Sequence, residues 1–476
     1  MSDRIRIKIT PRDFEYDVYT LVKAFFPEGD VAVYKDEETE DPEDDIIRVE
    51  LGDSSLRVEY GRVIEESFEE NDRTLLKNLI KQSIYKILSE KTGITLPWGT
   101  LTGIRPVRIP LSMMEEGVSD GQIRDKLRST YYISDKKLDL AIDVAKLENR
   151  ILSGFDYRSG YSLYVGIPFC PSICLYCSFS SQLADKADLD GYLDGLEREL
   201  TAMGSMVSGP PDSLYIGGGT PTVLSPKQLD RLFYMTEKYF DLSGTREFTV
   251  EAGRPDTIDP DKLSVIKEHG ATRISINPQT MNQTTLDLIG RHHRVEDILK
   301  SFEMARGQGF DNINMDLIVG LPGEGREEVA HTMEEILKLS PESITVHSLA
   351  VKRAARLNLF KDKYREMGMV GNEEIMDMVR GYTSKAGMNP YYLYRQKNMV
   401  GNLENVGFAK PGYESLYNVL IMEEKQTIIA CGAGSSTKRV WPDGKRIERI
   451  INPKDIKTYL AGIEDITEKK RNLLEA

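Results

Sequence analysis

The stretch YVGIPFCPSICLYCSF, residues 164–179, holds three of the four cysteines of this chain in the spacing C-x3-C-x2-C. A [4Fe–4S] cube is normally held by cysteine thiolates, and Cys170, Cys174 and Cys177 can each bind a different iron. The fourth iron is then open to another ligand, like the open position of a catalytic metal. The alternatives are a chance cluster or a zinc knuckle, which needs a fourth cysteine or histidine nearby. The first histidine, His269, is remote in sequence, so we predict an iron–sulfur cluster.

From Tyr161 onward, apolar runs alternate with amphipathic segments. This alternation predicts parallel strands joined by right-handed helical crossovers. In barrels built this way, the chemistry gathers at the carboxyl ends of the strands, and the cysteines follow the first strand directly. The predicted strands are residues 162–167, 213–216, 247–251, 272–276, 312–319 and 343–348, and the predicted helices are 188–204, 225–240, 260–269, 284–307 and 324–338.

Glycine and polar side chains occur at the ends of the later strands. The turn GGGTP at residues 217–221 lets a ligand approach the backbone closely. Glu251 ends its strand and can accept hydrogen bonds, and Gln279 can both donate and accept them. Arg291 can hold a carboxylate through a charge-assisted fork, although a structural salt bridge is the alternative. Asp316 interrupts an apolar strand, where a buried carboxylate requires partners.

These motifs together resemble the radical S-adenosylmethionine (SAM) superfamily, and within it the oxygen-independent coproporphyrinogen III oxidase group with its relatives, the haem chaperones. The matching phrases are YxxIPFC, GGGTPT, VEA, RxSxxxQ, GRxH, DLIxGLPG and HSLA. The chain also has an additional N-terminal region and the motif GTLTGIRP at residues 99–106. With these features it is most similar to the HemZ-type branch.

The resemblance implies two cofactors, a [4Fe–4S] cluster and SAM. In the family the open iron is chelated by the methionine end of SAM, and electron transfer into SAM releases a 5′-deoxyadenosyl radical. The cluster ligands, which are also the catalytic cysteines, would be Cys170, Cys174 and Cys177. By motif alignment, the residues that contact SAM would be Tyr164, Tyr176, Gly218, Gly219, Thr220, Glu251, Gln279, Arg291, Asp316 and Ala350.

The resemblance further implies oxidative decarboxylation of coproporphyrinogen III propionates to vinyl groups, giving protoporphyrinogen IX in anaerobic haem biosynthesis. A reducing partner such as flavodoxin or ferredoxin would supply electrons. Because the tetrapyrrole substrate carries four carboxylates, cations should line the mouth of the site. The candidates are Arg254, Lys352, Arg353, Arg356 and Arg395. The alternatives are a haem-trafficking protein of the chaperone type, a radical SAM methyltransferase and a haem ring-opening enzyme.

The chain departs from its relatives in sequence at two motifs. Phe179 stands where the oxidases have a fourth cysteine, as it does in the chaperones. The chaperones carry a haem-binding motif HNxxYW, whereas the matching stretch here is YNVLIM, residues 417–422. The loss of the histidine and of the terminal aromatic pair argues against the chaperone alternative. Cys431, the fourth cysteine, is interpreted as a small buried residue.

The expected fold class is α/β, a radical SAM partial (β/α)6 barrel at residues 156–350. A small N-terminal α+β domain is expected at 1–92, a helical connector at 93–155, and a mixed C-terminal domain that covers the substrate at 351–476. The N-terminal order is predicted as β-α-β-β-β-α. The connector is predicted to contain two helices, near 120–129 and 134–152.

Composition limits the class of protein. The net charge of −14 disfavours a nucleic-acid partner, which requires a basic surface. No apolar run approaches the length of a membrane span, and the first residues show no signal-peptide core. Four cysteines, three of them clustered, do not form a disulfide framework. We therefore expect a cytoplasmic protein with no membrane span, working at low oxygen.

Overall fold

The computed structural model describes residues 4–27, 29–35, 38–41, 45–69, 72–179, 181–350, 370–396, 399, 403–444 and 446–476. The chain divides into two compact units, Met1–Lys146 and Leu147–Ala476. All of the predicted cofactor residues belong to the second unit. The finer division into four domains remains a prediction.

The first unit is a mixed sheet with two long helices on its apolar face. Its first strand alternates buried isoleucines with charged residues, as the sequence pattern predicted. That strand pairs in parallel with β2 and β3, and β3, β4 and β5 continue in antiparallel fashion. The elements are β1 (Arg4–Thr10), α1 (Glu15–Phe25), β2 (Asp30–Val33), β3 (Asp45–Leu51), β4 (Ser55–Glu59), β5 (Val63–Ser67) and α2 (Arg73–Thr92).

The predicted order of the first unit omitted one strand and one helix. Strand β5 lies at the edge of the sheet and buries no side chain fully, so it lacks the apolar alternation that identifies a strand. Helix α3 (Arg108–Glu115) contains a proline and starts without a side-chain cap, so the usual start signal is missing. The two predicted helices are present as α4 (Asp120–Tyr131), which begins with a capping box from Ser119, and α5 (Asp135–Leu152).

The second unit is built on a sheet that has eleven strands in the described part of the chain. The six predicted strands lie side by side in chain order, each parallel to the next, which confirms the α/β class. A further parallel strand, Thr427–Cys431, was not predicted. It pairs with the first predicted strand, Tyr161–Ile167, along the edge that the second predicted strand leaves open. The strands are β6 (Tyr161–Ile167), β9 (Ser213–Gly218), β10 (Glu247–Glu251), β11 (Arg273–Ser275), β12 (Ile313–Val319), β13 (Ser343–Ser348), β14 (Asn389–Tyr394), β15 (Asn405–Ala409), β16 (Thr427–Cys431), β17 (Ser436–Val440) and β18 (Ile447–Ile451).

Helices follow the parallel strands, as expected for crossovers. The predicted capping box of Ser225 and Gln228 is present, with Pro226 at the first helical position. The single helix predicted at 284–307 is wrong, because the chain breaks at Gly290, where φ is +76°. The helices are α6 (Leu189–Gly204), α7 (Pro226–Tyr239), α8 (Pro260–Glu268), α9 (Gln283–Leu288), α10 (Val295–Gly307), α11 (Arg326–Lys338), α12 (Glu373–Lys385), α13 (Leu416–Glu423), α14 (Ile456–Ala461) and α15 (Ile463–Glu475).

The last helix is joined to helix α6 by a buried ion pair and to the sheet by a hydrogen bond of the same lysine. Lys470 donates to Glu199 Oε1 at 2.6 Å and to the carbonyl of Ala430 at 2.6 Å, and both charged side chains are fully buried. The second carboxylate oxygen of Glu199 accepts from Tyr459 Oη and from the amide of Gly432. Because both carboxylate oxygens and the ammonium group are engaged, helices α6 and α15 and strand β16 are held together.

A surface histidine connects α7 to the end of α8. His269 Nδ1 lies 2.7 Å from Glu237 Oε1, and its Nε2 lies 3.1 Å from Asp230 Oδ1. Partial burial would lower the pKa of His269, but these two carboxylates outweigh it and raise the pKa above its usual value.

We expect this raised pKa to make part of the stability depend on pH. A group whose pKa is raised in the folded state contributes its full stabilisation below the pKa of the unfolded state. This stabilisation is lost as pH rises through the pKa of the folded state. His269→Gln should therefore cost about 1 kcal/mol or less near about pH 5.5 and less still near about pH 8.5, measured as thermal unfolding at both values. His331→Gln, at an exposed histidine, is the control. An equal cost of the His269 substitution at the two pH values would contradict the assignment.

Within the described residues, none of the helices combines the length and the apolar character that crossing a bilayer requires.

Candidate active site

The cysteine loop leaves strand β6 and is held at both ends and at its tip. The short strands β7 (Phe169–Cys170) and β8 (Gln182–Leu183) pair in parallel across its base. At the tip, the amide of Leu175 donates to the carbonyl of Ile289 at 3.0 Å. Leu175 and Tyr176 also pack on a small apolar cluster formed by Ile289, Ile318, Leu321 and Leu349. The loop is therefore anchored to the turn that breaks the helical segment at Gly290.

The thiols of the loop lie close enough together to influence one another. Cys174 is buried, and Cys170 and Cys177 are half-buried. Burial, with a smaller contribution from the neighbouring Cys174 and Cys170, raises the pKa of Cys177 to about 11. Among the described residues, no three His, Cys, Asp or Glu side chains converge on a single metal ion. The ligands of a cube bind separate irons and need not converge on one point.

The glycine turn after β9 packs directly against the segment that leads into Cys170. The amide of Gly219 donates to the carbonyl of Ile167 at 2.8 Å, and that of Thr220 donates to Phe169 O at 2.7 Å. A Cβ on Gly219 would lie 2.5 Å from Phe169 O, and Gly218 has φ +119°. Only glycine fits such an approach. Thr220 Oγ1 donates to Cys170 Sγ at 3.6 Å, so this turn and the cysteine loop form one site.

Glu251 lies at the centre of this edge of the sheet. Its Oε1 accepts from Tyr215 Oη at 2.5 Å and its Oε2 from the amide of Gly218 at 3.1 Å. Burial raises the pKa of Glu251 to about 7; the Tyr215 hydrogen bond opposes this shift, and the Asp316 carboxylate adds to it. The side chain is therefore a carboxyl group held next to the glycine turn.

Three tyrosines stack beside Glu251. The ring centroid of Tyr215 lies 4.5 Å from that of Tyr417 and 6.1 Å from that of Tyr164. Tyr417 lies in the first turn of helix α13, whose first amide groups donate to the carboxylate of Glu247. This buried cap fixes the helix and, through it, the Tyr417 ring over Tyr215.

Gln279 has a strained backbone and an unsatisfied side chain. Its φ is +68°, in the left-handed region that non-glycine residues rarely occupy. The backbone is held there by hydrogen bonds to Asp316 O and from Ile318 N, both of 2.9 Å. The side chain is buried, and its Oε1 has no hydrogen-bond partner among the described residues. A buried acceptor without a donor suits a ligand hydroxyl group.

Asp316 and Ala350 lie at the next two strands. Asp316 Oδ1 accepts from Asn314 Nδ2 at 2.7 Å, and Oδ2 lies 3.6 Å from His347 Nε2. Burial alone would raise the pKa of Asp316, but His347 and Asn314 outweigh it and lower the pKa. Ala350, just beyond strand β13, forms an antiparallel bridge with Met399. The carboxylate of Asp316 is therefore ionised and partly satisfied by the protein itself.

Arg291 is buried between the glycine-containing break and the cysteine loop. Its Nη1 donates to Asn277 O at 2.5 Å and to Gly253 O at 3.4 Å, while Nε has no partner among the described residues. Burial would lower its pKa, but the adjacent Tyr176 and Cys174 raise it. Burial also raises the pKa of Tyr176. The guanidinium remains charged and has an N–H group available for an anionic ligand.

The cations proposed to line the mouth are not supported where the structure describes them. Arg254 is 3 % exposed and points at Asp256, Ser172 and Cys174, so its assignment to substrate carboxylates is wrong. Arg395 is also buried, and burial lowers its pKa to about 10 against the effect of Glu404. The remaining candidates, Lys352, Arg353 and Arg356, lie outside the described residues.

Sequence reasoning missed several contributors to this site. Tyr215 occurs inside an apolar strand and carries no motif, and Asp256 was not considered as a partner of Arg254. Tyr417 was noted only as a departure from the chaperone motif. Glu247, at the start of strand β10, accepts from Ser415 of the C-terminal region, a contact between residues far apart in the chain that no local pattern indicates.

A profile of the Radical SAM superfamily matches residues 164–336, which span the cysteine loop, the glycine turn and Gln279. The chain belongs to the radical SAM superfamily, within its group of coproporphyrinogen oxidase-like proteins and haem chaperones. This family uses a [4Fe–4S] cluster and SAM.

Two relatives define this group further. The chain is 41 % identical to the oxygen-independent coproporphyrinogen-III oxidase-like protein HemZ of Bacillus subtilis, over 84 % of this chain and 81 % of that protein. It is 35 % identical to the haem chaperone HemW of the same organism, over 58 % of this chain and 70 % of that protein. Among solved structures, the coproporphyrinogen III oxidase HemN of Escherichia coli, a radical SAM enzyme, aligns with a TM-score of 0.53 and 23 % identity, over 67 % of this chain and 73 % of that one. This last likeness establishes the fold.

The residues present fit the family's cofactors. Three neighbouring thiols, a glycine turn too close-packed for a Cβ, and the orphaned Oε1 of Gln279 occur at one edge of the sheet. Cys170, Cys174 and Cys177 could hold the cluster. The glycine turn, Glu251, Gln279, Arg291 and Asp316 would provide acceptors and donors suited to the amino, carboxylate and ribose groups of SAM.

Proposed function

We propose that this protein is a cytoplasmic radical SAM enzyme that oxidatively decarboxylates propionate side chains of coproporphyrinogen III, or of a close tetrapyrrole, to vinyl groups during anaerobic haem synthesis. The observation that carries the proposal is the meeting of the cysteine loop, the glycine turn and Glu251 at one edge of the sheet. The HemZ and HemN names of the relatives support the substrate class. A flavodoxin or ferredoxin is proposed as electron donor.

In this proposal the bound cofactors supply a 5′-deoxyadenosyl radical that can remove a hydrogen atom from a propionate. The side chains and backbone of the protein bind SAM and orient it. Gly218, Gly219 and Glu251 hold the amino group of SAM, and Arg291 holds its carboxylate. Gln279 and Asp316 accept from the ribose hydroxyl groups. The apolar cluster beneath Leu175 and Tyr176 excludes water from the side of the cysteine loop on which these two residues pack.

The environment of Tyr417 favours the enzyme over the chaperone alternative. Tyr417 occupies the histidine position of the chaperone motif, and its side chain is 5 % exposed and stacked on Tyr215. A side chain packed in this way is not available to a haem iron. Its role is instead to support the tyrosine that holds Glu251.

The proposal is tested by anaerobic turnover. The reconstituted protein is mixed with SAM, a strong reductant and coproporphyrinogen III, and the products are separated by liquid chromatography and mass spectrometry. Loss of carbon dioxide from the tetrapyrrole with matching 5′-deoxyadenosine supports it. Formation of 5′-deoxyadenosine with an intact porphyrinogen overturns the substrate assignment, and stoichiometric haem binding without turnover favours the chaperone. Cys177→Ala, which lacks one of the three proposed cluster ligands, is the negative control.

Glu251→Gln should weaken SAM binding by about tenfold to a hundredfold, because a charge-assisted hydrogen bond in a buried site is lost. Since the pKa of Glu251 is raised to about 7, SAM should also bind the unmodified protein less tightly at about pH 6 than at about pH 8. Anaerobic equilibrium dialysis with labelled SAM measures both effects. The Glu251→Gln variant should show little pH dependence; if its dependence equals that of the original protein, Glu251 is not the group responsible.

A further inference from the structure

Arg254 has a guanidinium whose direction is fixed by a second charged residue. Its Nε and Nη2 donate to the two carboxylate oxygens of Asp256 at 2.9 and 2.7 Å. This fork leaves Nη1, which donates to Ser172 Oγ at 3.0 Å and to Cys174 Sγ at 3.5 Å. Both contacts of Nη1 are in the cysteine loop.

The surroundings make this contact electrostatically strong. Arg254 is 3 % exposed and Cys174 is 8 % exposed, so water screens the interaction little. Burial would raise the pKa of Asp256, but Arg254 outweighs it and the pKa is lowered, so the carboxylate remains charged. The adjacent His293, 3.9 Å from Asp256, has its pKa lowered to about 4 by burial and adds no charge near neutral pH.

The reduction potential of an iron–sulfur cluster depends on its net charge, on hydrogen bonds to its sulfurs and on burial. Reduction adds one negative charge. A fixed cation that donates to a ligand sulfur therefore stabilises the reduced state more than the oxidised state. Asp256 acts in the opposite direction, but its carboxylate is separated from the sulfur by the guanidinium.

We propose that Arg254 is a positioning residue that raises the reduction potential of the cluster through its hydrogen bond to Cys174, with Asp256 aiming the guanidinium and partly offsetting its charge. This inference rests on the proposed cluster ligands but not on the proposed tetrapyrrole substrate. The turn after strand β10, which carries Arg254 and Asp256, thereby influences how readily the cluster accepts the electron that SAM cleavage requires.

The test is a redox titration of the cluster-loaded, full-length protein without SAM and without tetrapyrrole, followed by electron paramagnetic resonance. Arg254→Met should lower the ratio of reduced to oxidised cluster about tenfold at a fixed potential, which corresponds to about 59 mV for a one-electron couple. Asp256→Asn should raise that ratio, because the amide oxygen still accepts from the guanidinium and keeps its direction while the opposing negative charge is removed. Arg246→Met is the matched control, because Arg246 pairs with Asp212 at the opposite end of the same strand and should leave the potential unchanged.

Opposite shifts in the two variants support the inference, since general damage to the site would move both in one direction. An unchanged potential in Arg254→Met with full iron content overturns it. If Arg254→Met fails to retain iron, Asp256→Asn decides: an increased reduced fraction supports the inference, and an unchanged or decreased one overturns it. Failure to convert coproporphyrinogen III affects none of these readouts, so the substrate proposal and this inference fail separately.

Discussion

Cys174→Ala is expected to remove cluster binding and to lower SAM cleavage by more than about a hundredfold. Loss of a group that only supports a metal ligand typically costs about tenfold to a hundredfold, and loss of a ligand itself should exceed that. Cys174 is the buried member of the three and accepts from Arg254, so no other thiol of the loop can take its position. Iron and sulfide content after anaerobic reconstitution, together with 5′-deoxyadenosine formation, measure the effect.

Cys431→Ala is the matched control because it also removes a buried thiol. Cys431 belongs to strand β16, opposite Val165, and is not part of the loop. Iron content should be unchanged in this variant. If Cys431→Ala lost iron as Cys174→Ala does, the assignment of three ligands would have to be replaced by one that includes the fourth cysteine.

Lys470→Met should destabilise the second unit by about 3–5 kcal/mol, because removing one partner leaves the fully buried carboxylate of Glu199 without its counter-charge. The methionine chain replaces most of the lost volume, so the cost is electrostatic. Urea-induced unfolding followed by tyrosine fluorescence measures the free energy of unfolding.

Lys469→Met provides the comparison one residue earlier in the same helix. Lys469 pairs with Asp465 at the surface, and its side chain is 59 % exposed. Such a pair contributes about 0.3–0.5 kcal/mol. A cost for Lys470→Met within about 1 kcal/mol of that for Lys469→Met would mean that the buried pair does not stabilise helix α15.

The strands of the second unit that were predictable are those whose neighbours follow in the chain. The run 343–348 contains the β-branched residues Ile344, Thr345 and Val346, which favour a strand, and the crossover rule then places it beside 313–319. Thr427–Cys431 is also apolar, but nothing local indicates that its partner is Tyr161–Ile167. Strand Val63–Ser67 was missed for a different reason. It lies at the edge of its sheet, and an edge strand need not bury any side chain, so its sequence lacks an apolar pattern.

The candidate site also combines features that local sequence patterns predict with features that depend on contacts between distant residues. The cysteine spacing and the glycine turn are local patterns with a direct physical meaning, and the structure brings them together. The left-handed backbone of Gln279 is imposed by its bonds to strand β12 and has no sign in the sequence. Arg254 was misassigned because the charge of a residue does not tell whether its side chain faces a ligand or a buried carboxylate.

The pairing of Thr427–Cys431 with Tyr161–Ile167 also has a consequence for synthesis on the ribosome. The earlier strand emerges long before the later one, and until then one of its edges has unpaired backbone groups. An apolar strand with an open edge can pair with other nascent chains. The growing polypeptide is therefore most exposed to aggregation between the emergence of these two segments, and a chaperone that occupies that edge would act within this interval.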